Sequence, residues 1–176
     1  MKGFLLGIVF TLIVEAAAGY AVLKTGTVPL SARVGPVWGE NWAARTDLRA
    51  VLRREAPKVP NPVKLTDANL ISGIQLYATH CAVCHGTAKG DASASAIARG
   101  EWPAPPQLAS EGVEDDPEGV TFWKLDNGIR WSGMPAWHDS LNKQQMWTLA
   151  LFLKHMDKLP PGPKQVWEGI GQKFPK

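Results

Sequence analysis

Residues 81–85 read Cys-Ala-Val-Cys-His, and this stretch decides how the rest of the chain is interpreted. Two thiols three positions apart on a helical turn can reach the two vinyl groups of one porphyrin, and the histidine that follows is then held beneath the iron. The sequence has only these two cysteines, so one motif uses both. The pattern therefore predicts covalent attachment of one haem through Cys81 and Cys84, with His85 as an iron ligand.

Two other chemistries also use a Cys-x-x-Cys pair. A zinc site needs about four ligands, usually from a second paired motif, and the sequence offers no further cysteine. A thioredoxin-like redox pair is expected beside a βαβ pattern, and the periodicity around this motif is helical. Both alternatives explain the stretch less well than haem attachment does.

The second axial ligand is sought among four methionines and the remaining histidines. Met134 lies between Gly133, which permits a turn or a close approach, and Pro135, which stiffens the chain. A thioether ligand also raises the reduction potential of a haem. We predict that Met134 ligates the iron, with His138 as the nearest competitor, whereas Met146 has the spacing of ordinary core packing.

The stretch from about Asp67 to Leu159 resembles a class I cytochrome c domain. The matching pieces are the 81–85 motif, the Gly133-Met134-Pro135 loop and two flanking helices. The resemblance implies an all-α fold of three or more helices around one haem c. It also implies that Cys81 and Cys84 are the thioether anchors and that His85 and Met134 are the axial ligands.

Residues 3–23 are apolar apart from Glu15. As a helix they would span roughly 31 Å, about the thickness of a hydrocarbon core. We therefore expect a transmembrane anchor within residues 1–24. The alternative is a signal peptide cleaved near Ala16-Ala17-Ala18, although the apolar run continues beyond that point. Since haem c is attached outside the bacterial inner membrane, the haem domain is expected in the periplasm, behind a single pass through that membrane.

Glu15 is the unusual residue of the apolar segment. A carboxylate at the centre of a bilayer costs about 2.5–3.5 kcal/mol even on insertion scales. It is therefore expected to contact the transmembrane helix of a partner subunit, to be protonated and simply tolerated, or to serve a quinone or proton site.

The remaining chain divides at its prolines. Residues 25–65 are predicted to be a connector with one amphipathic helix over about 41–55, whose arginines at 45, 49 and 53 form a basic stripe. That stripe is either a solvated face or a contact for anionic headgroups or an acidic partner. Residues 66–159 are the expected cytochrome c domain, and residues 160–176 are expected to be an irregular, proline-rich tail.

Three helices are expected inside the haem domain. The first follows Thr66 as a candidate N-cap and contains Gly73, whose cost in a helix is reasonable if another helix crosses closely there. The second is expected to open on Asp116-Pro117-Glu118. The third is expected after Asn142, where Gln145 completes a capping-box pattern.

The charge is unevenly distributed along the chain, which has a formal net charge of +3. Residues 1–66 hold nine Lys and Arg against four acids, whereas residues 67–176 hold ten against twelve. The basic half adjoins the apolar segment, so the distribution does not indicate nucleic-acid binding.

These features predict a membrane-tethered monohaem protein that passes single electrons between a donor and an acceptor protein. A His/Met-ligated iron has no open position, so neither enzymatic activity nor a small-molecule substrate is expected. One alternative is a cytochrome subunit fixed within a larger respiratory or photosynthetic membrane complex. Another is a haem enzyme or gas sensor, which would require that Met134 does not bind.

Overall fold

The computed structural model describes residues 2–89 and 95–170, and their regular structure is helical. In chain order the helices are α1 (Lys2–Thr25), α2 (Glu40–Glu55), α3 (Asp67–His80), α4 (Ala82–His85), α5 (Ala96–Gly100), α6 (Leu108–Glu111), α7 (Glu118–Asn127), α8 (Lys143–Lys154) and α9 (Pro161–Gly169). A short 3-10 helix, Met156–Lys158, follows α8. The chain forms two compact units, Met1–Asn41 and Trp42–Lys176.

The first unit is dominated by α1. Its 24 residues have a mean hydropathy of 2.0 over their most apolar window, and none of its side chains is buried. By length and composition this helix could cross a membrane, and the described chain holds one such helix. A helix that is apolar all round and unburied needs an apolar environment outside the chain.

The core of the second unit is formed where α3 crosses α8. A Cβ placed on Gly73 would lie 2.6 Å from Cβ of Phe152 and 2.7 Å from the carbonyl oxygen of Thr148. Glycine is therefore what allows the two helices to approach, as the sequence suggests. Tyr77 and Phe152 are both fully buried at this crossing, with their rings edge to face at 5.6 Å.

Side-chain caps fix the starts of two helices at the predicted positions. The Thr66 hydroxyl accepts a hydrogen bond from the Asn69 amide (3.2 Å) at the start of α3. Asn142 and Gln145 form the reciprocal capping box at the start of α8, at 2.9 Å in each direction. The two helices that form the core crossing are thus positioned by local sequence.

The start of α7 differs from the prediction. Pro117 takes the N-cap position and Glu118 is the first helical residue, so Asp116 does not cap the helix. The Asp116 carboxylate instead accepts a hydrogen bond from the ammonium group of Lys124, which lies within α7. An ion pair with Lys124 satisfies this carboxylate in place of the backbone amides of the first turn.

The prediction of an irregular tail over residues 160–176 is wrong for its first part, because α9 occupies Pro161–Gly169. Pro161 and Pro163 both fall in the first turn, where a helix has no acceptor for the amide that proline lacks. Trp167 is buried against Tyr77 and Phe152, at 5.3 Å from each ring. Residues 171–176 lie outside the described part of the chain.

The end of the predicted connector also belongs to the folded unit. Ala56 is buried, and the Asn61 amide donates to the Trp147 carbonyl oxygen at 3.0 Å and to the Glu118 carboxylate at 2.8 Å. A Cβ on Gly119 would collide with the Pro57 carbonyl oxygen, so the chain here lies directly on α7. The helix predicted at 41–55 is present as α2.

Candidate functional site

The Cys-x-x-Cys-His stretch follows directly after α3 and forms the short helix α4. The Cys81 amide donates to the Tyr77 carbonyl oxygen at 2.8 Å, and the His85 amide donates to the Cys81 carbonyl oxygen at 2.9 Å. The Tyr77 hydroxyl, buried in the core, donates to the carbonyl oxygens of His85 (3.1 Å) and Gly86 (2.9 Å). The predicted helical turn is therefore present, and its far end is held by a core side chain.

The His85 imidazole is oriented by a backbone acceptor. Its Nδ1 lies 2.8 Å from the carbonyl oxygen of Pro106. A carbonyl oxygen can only accept, so Nδ1 carries the proton and Nε2 is left with its lone pair. Burial lowers the pKa of His85, which favours the neutral ring that a metal requires.

The segment around Pro106 is fastened to the cysteine motif by Gln107. The Gln107 side-chain amide donates to the carbonyl oxygens of Cys84 (3.2 Å) and Pro105 (3.1 Å). The proline-rich stretch that ends at Pro106 therefore lies beside the cysteine motif. Its role as the acceptor for His85 has no local sequence signal, because a backbone carbonyl is available at any residue.

The Met134 loop is held by three internal hydrogen bonds. The Ile129 amide donates to the Met134 carbonyl oxygen (3.1 Å), and the Met134 amide donates to the Ser132 hydroxyl (3.1 Å). That hydroxyl in turn donates to the Ile129 carbonyl oxygen (2.7 Å). The side chain of Met134 is half-buried and packs against the core cluster.

Gly128 makes the turn at the start of this loop. Its φ of +66° lies in the left-handed region, and a Cβ there would be 2.6 Å from the Ala136 amide nitrogen. The helix α7 therefore ends where the loop folds back across it. Trp131 has a φ of +61° and is 78% exposed, so a second left-handed residue sits in the same loop.

Glu101 joins the cysteine motif to the Met134 loop. The Cys84 thiol donates to Glu101 Oε1 at 3.0 Å, and the same carboxylate lies against Gly133, where a Cβ would collide with it. The cysteine motif and the Met134 loop, which are about 50 residues apart in sequence, are thus both in contact with the Glu101 side chain. Sequence reasoning missed Glu101, and no spacing pattern singles it out.

Both thiols are in the protonated form at neutral pH. Burial raises the pKa of Cys81 to about 12, and burial together with the Glu101 hydrogen bond raises that of Cys84 to about 12. Neither cysteine forms a disulfide. Two adjacent unpaired thiols fit thioether formation, which begins from the thiol or thiolate.

The rival histidines have partners of their own. The His80 ring packs edge to face on Trp137 at 5.1 Å. His138 is exposed, and its Nδ1 lies 2.9 Å from the Asp126 carboxylate, which raises the pKa of His138. His80 therefore packs against an aromatic ring, and His138 forms an ion pair at the protein surface.

The side chains around the site fit a haem. Within the described residues, Trp137 Nε1 is buried without a hydrogen-bond partner, and an N–H left in this state calls for an acceptor from outside the chain. Haem carries two carboxylates. His85 would offer an imidazole, Met134 a thioether, and Cys81 and Cys84 their thiols, which are the kinds of group that hold an iron porphyrin.

Comparison with known proteins decides the class. Residues 68–153 match the family model described as cytochrome c oxidase, cbb3-type, subunit III. Residues 68–153 are a c-type cytochrome domain. The cofactor of such a domain is covalently bound haem c with its iron, and its function is electron transfer. No curated protein and no solved structure matches the chain.

In this cytochrome domain the matched segment begins within α3 and ends within α8. It therefore contains the cysteine motif, Glu101, Pro106 and the Met134 loop, but not α9 or the end of the connector. Trp167 and Asn61 lie outside the matched segment and contact residues within it.

Proposed function

We propose that this protein is a membrane-tethered, periplasmic monohaem cytochrome that passes single electrons between protein partners. Cys81 and Cys84 would hold the haem through thioether bonds, and His85 and Met134 would ligate its iron. When bound, haem c supplies the one-electron Fe(III)/Fe(II) couple. The chain supplies the ligands, their orientation and the exclusion of water.

The hydrogen bond from His85 to the Pro106 carbonyl carries the proposal. It fixes the tautomer in which Nε2 is the donor, and it makes the ring more basic than a free imidazole. His85 also follows directly after Cys84 in α4, so attachment and ligation are set by the same helical turn. A histidine with a structural role in a core would not need both features.

Met134 is the proposed second ligand because its backbone is fixed on both sides. Ile129 and Ser132 form hydrogen bonds with the carbonyl oxygen and the amide of Met134. The Met134 side chain is only half-buried where it packs against the core cluster. A thioether favours Fe(II) over Fe(III), which gives a carrier of raised potential. With both axial positions filled, the protein binds no substrate at its iron.

Spectroscopy of Met134 variants tests the function. Met134→His should keep a low-spin spectrum at a lower reduction potential, and Met134→Ala should open the iron to cyanide and carbon monoxide. Met156→Leu, at a buried methionine outside the site, and His138→Ala should leave the spectrum and the near-infrared band of Met–Fe(III) ligation intact. A low-spin spectrum lost in His138→Ala and kept in Met134→Ala would overturn the ligand assignment.

The tether is proposed for α1. Residues 3–23 of this helix are apolar apart from Glu15 and none of its side chains is buried, and covalent haem c is attached on the periplasmic side of the bacterial inner membrane. The full chain should therefore fractionate with inner membranes and resist carbonate extraction. Replacing residues 1–24 with a cleavable signal should release a red, soluble domain with an unchanged spectrum. Haem loss in that variant would show that α1 is part of the fold.

A second candidate is a fixed subunit of a membrane oxidoreductase. The matching family is described as an oxidase subunit, and Glu15 gives α1 a polar group that a neighbouring helix could satisfy. Extraction of native membranes in mild detergent, followed by size analysis, separates the two. A single-chain particle supports the free carrier, and stable co-migration with other haem proteins supports the subunit.

A further inference from the structure

Glu101 is the one acidic side chain that the described structure shows in contact with both the cysteine motif and the Met134 loop. It follows the last residue of α5 with an extended backbone, and its side chain is half-buried. One carboxylate oxygen is 3.0 Å from the Cys84 sulfur, and the carboxylate covers Gly133. A residue of this length and charge is thus placed where anchor and ligand loop meet.

The field of this carboxylate reaches the site. Its Oε1 is in hydrogen-bond contact with the Cys84 thiol, and Cys84 directly precedes His85 in the chain. A charge in a partly buried position acts on its neighbours more strongly than one in bulk water, and salt weakens the effect. Glu101 therefore acts on the ligand side of the proposed haem as well as on its anchor.

Thioether formation changes the partner of Glu101. The sulfur of Cys84 bonds to one vinyl carbon and its hydrogen passes to the neighbouring carbon, so nothing external is oxidised or reduced. The thioether sulfur then has no hydrogen to donate. The carboxylate then loses that donor, and the contact with Gly133 is what would keep its charge beside the ligand loop.

We propose that Glu101 is a potential-setting carboxylate: its charge, fixed between Cys84 and Gly133, stabilises the ferric haem and lowers the reduction potential. Net charge near a haem or cluster is one of the levers by which a protein sets its potential. The charge of Glu101 thereby partly offsets the rise in reduction potential that ligation by Met134 provides. This inference rests on the proposed attachment at Cys84.

The packing of Glu101 on Gly133 explains that glycine. Gly133 is exposed and does not have a positive φ, so neither burial nor backbone strain requires a glycine there. A methyl group at this position would displace the carboxylate. Gly133 thus allows the acid to approach the ligand loop.

The test is spectroelectrochemistry of the full-length, haem-loaded protein. Glu101→Gln keeps the shape and removes the charge, and it should shift the midpoint potential upwards without loss of covalent haem or of the Met–Fe(III) band. Glu168→Gln, an exposed acid on α9, is the matched control and should leave the potential unchanged. The difference between wild type and Glu101→Gln should shrink as salt is raised, because screening weakens a charge effect.

A second variant, Glu101→Asp, keeps the test usable if Glu101→Gln does not attach haem. Glu101→Asp keeps the charge but withdraws it from Cys84, so its potential should lie between those of wild type and Glu101→Gln. An unchanged potential in Glu101→Gln, or in Glu101→Asp when the glutamine variant yields no haem protein, overturns the inference and leaves the function intact. Absence of covalent haem or of the Met–Fe(III) band in the wild type would instead overturn the proposed function.

Discussion

His85 Nδ1 and the Pro106 carbonyl oxygen are 2.8 Å apart, which joins the histidine of the cysteine motif to a segment 21 residues further along. The acceptor is held in place because Gln107 donates to the carbonyl oxygens of Cys84 and Pro105. The orientation of the imidazole thus depends on Gln107 through the segment that carries the acceptor.

Gln107→Leu should therefore raise the reduction potential. Loss of the two amide donors loosens the 105–107 segment and weakens the bond to His85, and a less basic imidazole stabilises Fe(III) less. A hydrogen bond is worth about 0.5–1.5 kcal/mol, which corresponds to about 20–60 mV for one electron. Redox titration measures the shift, and Gln165→Leu, on the exposed face of α9, serves as control. A lowered potential would contradict the role given to Pro106.

Gly73→Ala should destabilise the folded protein. The new methyl group would meet Cβ of Phe152 and the Thr148 carbonyl oxygen at under 3 Å, and forced overpacking of this kind costs about 1–3 kcal/mol. Denaturant unfolding monitored by circular dichroism gives the difference in free energy. Gly100→Ala is the matched control, since nothing lies within 4 Å of that site. Equal stability of the two variants would show that α3 and α8 do not cross at Gly73.

Trp167→Ala should also cost stability, by about 3–5 kcal/mol as for other buried aromatic residues. The side chain is 5% exposed and packs edge to face on Tyr77 and Phe152. Gln165→Ala, at an exposed position of the same helix, should be nearly neutral. If thermal unfolding placed both variants at the same midpoint, α9 would have to be regarded as a detachable tail.

Local patterns predicted much of this fold, and contacts distant in sequence account for what they missed. The cap at Thr66, the box at Asn142 and the crossing at Gly73 are each readable within one helix. The end of the connector was missed because the partners of Asn61 lie 57 and 86 residues away. For α9 a signal existed, since its core-facing positions follow helical spacing: 163, 166, 167 and 170.

The candidate site shows the same division. The motif at 81–85 and the loop at 133–135 are visible because covalent attachment and a presented ligand demand particular residue types. Pro106 and Glu101 act through a backbone oxygen and a single carboxylate, and neither requirement imposes a pattern on the neighbouring sequence. Such supporting groups become identifiable only when their distances are known.

His138 should titrate above its ordinary range in the folded protein. Its hydrogen bond to Asp126, and then the negative charge of that carboxylate, raise the His138 pKa, whose usual value is about 6.5. The stability that this pair contributes is therefore fully present below the unfolded pKa and is lost as pH rises through the higher folded pKa. Proton NMR of the reduced protein follows the titration, and Asp126→Asn should return the pKa towards 6.5. An unchanged midpoint in that variant would exclude the ion pair.

Asn61→Ala should destabilise the haem domain by about 1–3 kcal/mol, because it removes two donated hydrogen bonds and the one that the side chain accepts from the Val63 amide. The affected acceptors are the Trp147 carbonyl oxygen and the Glu118 carboxylate. Asn127→Ala, which removes one exposed bond within α7, is the comparison variant. Faster limited proteolysis between residues 56 and 66 in Asn61→Ala alone would locate the effect at this contact.

The contacts of Pro57 and Asn61 have a mechanical consequence. Tension along the polypeptide preceding residue 56 is taken up where those residues rest on α7 and α8, before it reaches Thr66 and the start of α3. Helix α3, which leads into Cys81, is thereby protected from a pulling force on the N-terminal part of the chain. In the proposed membrane-tethered protein, a pull on the N-terminal segment would then leave the geometry around the cysteine motif unchanged.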